Sequence, residues 1–217
     1  MTAFPSPNFG ERRGGAVPSI IVLHYTAMAS CAEARARLCD PLAEVSAHWL
    51  ISEQGESEAL VPEAARAWHA GAGEWAGISD VNSHSIGIEL ANTGAQPFAE
   101  PQMAALERLL DGIMWRWQIE PHRVIAHSDM APSRKSDPGP RFDWRRLALG
   151  GRAVWPTLDA GGLPEGFAAD ARRFGYPEAE PATLLAAFRL RFRPWARGPL
   201  DAVDAQLARD LARRFSA

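Results

Sequence analysis

Short runs of branched apolar residues, each ending on a polar group, set the frame of the chain. Ser19 to Thr26 reads SIIVLHYT after a Gly/Pro-containing stretch and predicts a strand in the core. Ile86 to Asn92 (IGIELAN) predicts a second core strand, and Arg123 to Ala126 a third. His48 to Ser52 and Glu58 to Val61 flank Glu53-Gln54-Gly55-Glu56, which predicts a hairpin. A different period runs from Pro101 to Trp117. Met103, Leu106, Leu109, Leu110, Ile113, Met114 and Trp117 recur at helical intervals behind a first-turn proline, which predicts a long amphipathic helix. Ser30 to Cys39 predicts a helix capped by Ser30 and stopped by Asp40-Pro41, and Asp143 to Leu149 a short one. Residues 68–85 carry Gly and Asn without any period and predict a long surface loop, a feature that in a compact domain usually serves function. A Pro/Ser/Gly-rich loop follows from His127 to Pro140.

Gly150-Gly151 and Gly161-Gly162 bracket a change of pattern. Beyond them strand-like alternation stops, and three short helices are predicted near 164–174, 181–192 and 200–215, with turns at Gly175-Tyr176-Pro177 and Arg197-Gly198-Pro199. The boundary falls near 155–163, which divides the chain into an α/β domain over 1–160 and a helical domain over 163–217. Leu184, Leu185, Phe188 and Leu211 would give the tail a small core of its own.

With 47% hydrophobic and 23% charged residues, the 217-residue chain has the makings of a packed core, and global disorder is excluded. A net charge of -3 excludes a general basic footprint for nucleic acid. That charge is uneven, since the tail from Leu163 holds nine Arg against seven acids. No apolar run approaches the ~20 residues of a membrane span, so no membrane span is expected. Met1 to Arg13 lacks the apolar segment of a secretory signal. Cys31 and Cys39 are eight residues apart on one predicted helix, a rise of about 12 Å that exceeds disulfide reach. Free thiols and no signal predict a cytoplasmic protein. A periplasmic location is the alternative, should a signal have been removed. Oligomeric state is not legible.

All six histidines lie within the first 127 residues. His24 and His127 each sit at or just past the end of a predicted core strand, where open α/β sheets assemble sites. Asp137 follows ten residues after His127 in a loop fixed by Pro and Gly. Two imidazoles and a carboxylate, with a fourth position open to water, match a catalytic-zinc ligand set, and the absence of nearby thiols argues against a structural zinc, the alternative being strand-end histidines hydrogen-bonded to neighbouring backbone. Lys135, the only lysine in the chain, precedes Asp137 by two residues. In a chain that otherwise uses Arg, a lone ammonium suggests a point charge for a developing oxyanion, the alternative being a chance surface lysine. Glu89 interrupts an apolar strand. Alternation puts Ile86, Ile88 and Leu90 on one face and Gly87 and Glu89 on the other, which faces either a cleft or solvent. His48 reads as a core or supporting residue, and Trp68 and Trp75, in the long loop, as groove walls.

These residues fall in ordered blocks: His24-Tyr25-Thr26-Ala27; Ser46-Ala47-His48-Trp49-Leu50-Ile51; Ala67-Trp68-His69-Ala70-Gly71; Asn82 with Ser85-Ile86-Gly87-Ile88-Glu89; His127-Ser128-Asp129; and Lys135-Ser136-Asp137-Pro138-Gly139. The set resembles the zinc-dependent N-acetylmuramoyl-L-alanine amidases of the type 2 amidase superfamily, whose fold is shared with phage T7 lysozyme and the peptidoglycan recognition proteins. The resemblance spans about residues 17 to 145. It implies a mixed central sheet flanked by helices, His24, His127 and Asp137 as zinc ligands, Glu89 as acid/base and Lys135 as the oxyanion-stabilising cation. Trp68, His69 and Asn82 fall in blocks that line the substrate groove of relatives. Some branches carry a catalytic Tyr where this chain has Ala47, which shifts the base role to Glu89. The tail resembles, more weakly, the three-helix peptidoglycan-binding-like module appended to one branch of these enzymes, which would either bind glycan or, as expected here, pack against the catalytic domain. The function implied is hydrolysis of the amide between N-acetylmuramic acid and L-alanine in a muropeptide, in cell-wall recycling and with a 1,6-anhydro sugar. Alternatives are a periplasmic amidase acting on intact peptidoglycan or its fragments, and a non-catalytic peptidoglycan-binding or sensor protein.

Overall fold

The structure is a computed structural model that describes residues 5–158 and 163–216. Its strands are β1 (Phe9–Gly10), β2 (Ile20–Tyr25), β3 (Trp49–Ile51), β4 (Ser57–Ala59), β5 (Arg66–Ala67), β6 (Ser85–Leu90) and β7 (Val124–Ala126). Its helices are α1 (Cys31–Cys39), α2 (Val81–His84), α3 (Glu100–Trp117), α4 (His127–Met130), α5 (Trp144–Leu149), α6 (Phe167–Phe174), α7 (Pro181–Phe192) and α8 (Ala202–Arg214). Five strands form one mixed sheet in the order β4-β3-β6-β2-β7. The β3, β6, β2 and β7 strands run parallel, and β4 returns antiparallel to β3 as the expected hairpin. Gly55 makes that turn. Its φ of +85° suits glycine, and a Cβ there would sit 2.4 Å from the Pro101 carbonyl oxygen.

The apolar run of β2 is continuous because both of its faces are covered. Ile21 and Leu23, with Ile86, Ile88 and Leu90 of β6, pack on Met103, Leu106, Leu110 and Ile113 of α3. Ile20 and Val22, with Ile125 of β7, pack instead on the tail through Phe174, Phe188 and Leu211. The tail therefore shares the core of the sheet. Of the four residues expected in its mini-core, Leu184, Phe188 and Leu211 join sheet residues in one cluster and Leu185 stays at the edge, which is the packing of the tail against the first domain that the sequence leads us to expect. The three predicted tail helices are present, and residues 159–162 of the expected boundary lie outside the described residues.

Three local features were not anticipated. A two-residue pairing joins β1 to β5, too short to leave a periodic signature. The two long loops are also less irregular than expected, because the first ends in α2 and the second opens with α4. Trp75, expected at a groove wall, is 1% exposed and packs edge-to-face on Phe174 at 5.4 Å. It is a core residue that fastens the long loop to α6.

Candidate metal centre and active-site cleft

Parallel pairing brings the chemistry together. His24 on β2 is the direct register partner of Glu89 on β6, and Leu23 is that of Ala126 on β7, so His127 begins α4 just past its strand. All three residues stand at the carboxyl ends of adjacent strands. The register also decides the face of Glu89. Side by side with His24, it points to the cleft and away from α3. Asp137 is delivered by its loop, whose Asp137 carbonyl accepts the Ser128 N–H at 3.0 Å and is thereby tied to α4.

The atoms His24 Nδ1, His127 Nδ1 and Asp137 Oδ2 converge. The two nitrogens are 2.9 Å apart, and each is 3.0 Å from the carboxylate oxygen. The three residues are buried and form the one metal-capable cluster among the described residues. His127 Nε2 faces the Ala70 carbonyl at 2.9 Å, which requires Nε2 to carry the proton and leaves a lone pair on Nδ1. His24 Nε2 is likewise engaged, at 3.0 Å from His69 Nδ1. Burial, then the proximity of His127, brings His24 down to about 4, so its ring is neutral at physiological pH. Lone pairs crowded at such distances repel one another unless a cation stands among them. A donor set of two imidazole nitrogens and one carboxylate oxygen fits a divalent metal with an open position.

Glu89 stands beside this cluster with Oε2 buried and without a hydrogen-bond partner. Burial first, and Asp137 second, push its carboxyl up to about 8, while Lys135 acts in the opposite direction. Lys135 and Trp68 line the same cleft of about 330 Å³, together with His24, Glu89, His127 and Asp137. His69 is 9% exposed and lies at the base of that cleft, behind His24. Asn82 is buried, with its side-chain oxygen accepting the N–H groups of His69 at 3.1 Å and Ala70 at 2.9 Å. His48 is fully buried, accepting the Gly87 N–H on Nδ1 at 2.9 Å and facing the Ala65 carbonyl with Nε2 at 3.1 Å. Burial brings His48 down to about 3, as suits a neutral supporting residue.

The sequence did not single out Arg37 and Arg134, which add positive charge to the cleft. Arg134 also donates to the Ala70 carbonyl at 2.7 Å. Both are ordinary arginines of a surface helix or loop in the primary sequence, and only the fold turns them toward one cavity.

The family model for N-acetylmuramoyl-L-alanine amidase matches residues 14–140, which contain every residue of this cluster. The N-acetylmuramoyl-L-alanine amidase AmiD of Escherichia coli is 36% identical over 90% of this chain and 83% of its own length. Its structure in complex with anhydro-N-acetylmuramic acid-L-Ala-D-γ-Glu-L-Lys superposes with a TM-score of 0.82 at 32% identity, covering 96% of this chain and 98% of that one. AmpDh3 from Pseudomonas aeruginosa gives a TM-score of 0.83 at 30% identity, covering 99% of this chain and 96% of its own. The 1,6-anhydro-N-acetylmuramyl-L-alanine amidase AmpD of Enterobacter cloacae is 41% identical, over 48% of this chain and 55% of its own length. With more than half of its length matched by the family model and nine-tenths aligned to AmiD, the chain belongs to the N-acetylmuramoyl-L-alanine amidase family.

Proposed function

We propose that the chain is a zinc hydrolase that cleaves the amide between N-acetylmuramic acid, in its 1,6-anhydro form, and the L-alanine of a stem peptide, in cell-wall recycling. The observation that carries this reading is the convergence of His24 Nδ1, His127 Nδ1 and Asp137 Oδ2 within one cleft that also holds Glu89 and Lys135. When bound by those three atoms, zinc would supply Lewis-acid polarisation and acidify a water.

The remaining steps belong to protein side chains. Glu89, which lines the cleft and has a buried, unpartnered oxygen, takes a proton from the attacking water and returns it to the departing α-amine of L-alanine. Lys135 offers an ammonium to the oxygen that gains charge as the carbonyl carbon becomes tetrahedral. Arg37 and Arg134 extend the positive lining and suit the carboxylates of a stem peptide. Trp68 presents a half-buried ring at the cleft wall, where a sugar or peptide face can stack. The anhydro sugar is favoured by the ligand held in the AmiD complex and by the activity that names AmpD. Free thiols at Cys31 and Cys39 support a cytoplasmic setting, and no helix among the described residues is long and apolar enough to cross a membrane.

The test is mass spectrometry of products from anhydromuropeptide and from intact sacculi, with metal analysis of the same preparation. Release of L-Ala-peptides from anhydromuropeptide, with about one zinc per chain, is the expected result. Cleavage of sacculi alone would move the substrate to intact wall. Binding without release would leave a peptidoglycan sensor. His127→Ala protein that keeps both metal and activity would overturn the metal site.

A further inference from the structure

Two consecutive residues hold both histidine ligands from behind. His24 Nε2 lies 3.0 Å from His69 Nδ1, and His127 Nε2 donates to the Ala70 carbonyl at 2.9 Å. One side chain fixes both supports. Asn82 Oδ1 accepts the N–H of His69 at 3.1 Å and that of Ala70 at 2.9 Å.

The direction of the hydrogen bonds through His69 is set at its far end. Ser85 Oγ has a single proton, which it donates to the Val81 carbonyl at 2.6 Å. Toward His69 Nε2, at 3.1 Å, Ser85 Oγ can then act only as acceptor. His69 thus carries its proton on Nε2, and its Nδ1 accepts from His24 Nε2–H. The consequence for His24 is a bare Nδ1 aimed at His127 and Asp137. This chain of hydrogen bonds ends on a main-chain carbonyl, which neither takes up nor releases a proton. It can orient His24, but it cannot conduct.

Packing leaves the His69 ring no other place. Its flat side lies on Gly87 of β6, where a Cβ would come 2.4 Å from His69 Cγ. His48 closes another side, with ring centroids 5.6 Å apart. A glycine inside a core strand is otherwise unfavourable, and the ring seated on it accounts for Gly87.

We propose that His69 and Ala70, clamped by Asn82 and Ser85, form a brace that fixes the tautomer and direction of both histidine ligands, making His69 and Asn82 positioning residues. The inference rests on the zinc-amidase reading and deepens it. Residues that hold the second nitrogen of a metal-bound imidazole typically govern metal affinity and ring orientation together.

The experiment compares full-length His69→Phe, His69→Gln and Asn82→Ala with the parent chain. Zinc affinity is read by competition with a chromophoric chelator, ligand geometry by the visible spectrum of the Co²⁺-loaded protein, and kcat and KM at saturating zinc. Loss of the acceptor in His69→Phe should weaken zinc binding by roughly 10–100-fold and shift the Co²⁺ spectrum. His69→Gln can present an amide oxygen to His24 and an N–H to Ser85, so it should recover most of that affinity. Asn82→Ala should weaken zinc by about tenfold, with KM within about twofold of the parent value. If His69→Phe does not fold, Gly87→Ala supplies the same test, because its methyl group displaces the ring while the imidazole is retained. Parent-like zinc affinity and Co²⁺ spectrum in these variants, with a raised KM, would overturn the brace and make both residues substrate contacts. A parent chain that binds zinc but releases no peptide would instead sink the amidase reading, and the affinity comparison would still decide the brace.

Discussion

Arg191 Nη1 lies 2.6 Å from Asp129 Oδ2, and neither side chain is exposed to solvent. This ion pair joins α7 of the tail to α4, two residues beyond His127. Asp129 also accepts from Tyr176 Oη at 2.6 Å and from the Ala126 N–H at 2.9 Å, so its carboxylate closes the first turn of α4. Arg191 donates to the Val124 carbonyl at 3.1 Å, and its guanidinium lies 4.2 Å from the centre of the Trp144 ring. The tail is thereby bonded directly to the strand and turn that present His127, a proposed metal ligand.

Removing one member of this pair strands the other charge in the core. Arg191→Met should lower the unfolding free energy by about 3–5 kcal/mol, measured by urea denaturation of metal-free protein. The double variant Asp129→Asn/Arg191→Met should lose less than the sum of the two single variants. Strict additivity would show that the two residues act independently.

Glu89 is assigned the proton transfers. Glu89→Gln should keep about one zinc per chain and lose roughly 10²–10⁴-fold in kcat, the usual worth of a positioned acid/base. Parent-like turnover with zinc in place would remove Glu89 from the reaction.

The same carboxyl gives the metal-free protein a pH signature. An ordinary Glu titrates near 4.5, whereas Glu89 is pushed up to about 8, chiefly by burial. Below pH 4.5 both folded and unfolded chains hold this proton and it contributes nothing. Between pH 4.5 and 8 the unfolded chain releases it while the folded chain retains it, so stability falls as pH rises. Above pH 8 the loss is complete. Glu89→Gln cannot ionise, so in chelator its melting temperature should rise relative to the parent across that window and level off above it. A constant offset from pH 5 to 9 would show that Glu89 is not held protonated.

Lys135 is expected to act on charge that forms during reaction. Lys135→Ala should lower kcat by about 10²–10³-fold with KM little changed, on the scale of one lost oxyanion donor. Lys135→Arg should recover only part, because a planar guanidinium places its donors differently from an ammonium. Steady-state kinetics at saturating zinc would check this, and an unchanged kcat in Lys135→Ala would place the lysine outside the reaction.

The sequence by itself determined the strands β2, β6 and β7, the helices α1, α3 and α5, and the three tail helices, because each has a local cause. The run Ile20-Ile21-Val22-Leu23, the spacing of Met103, Leu106, Leu110 and Ile113, and the Ser30 cap, which accepts the Glu33 N–H at 3.2 Å, all act within a few residues. His24, His127 and Asp137 were legible as candidates from residue type and position at strand ends. Tertiary structure decided what depends on pairing across long separations. Parallel register with His24 turned Glu89 to the cleft, which alternation alone left open. Shared burial put Trp75 in the core, drew the tail into the sheet, and carried Arg191 to Asp129 across 62 positions. His69 and Asn82 could be placed near a groove from their blocks, but not behind His24 and His127, the two proposed histidine ligands. That arrangement is set by hydrogen bonds that span 45 residues from His69 to His24 and 57 from Ala70 to His127. Local sequence carries propensity and spacing, whereas the direction of a donor or lone pair is fixed only once distant strands are brought into register.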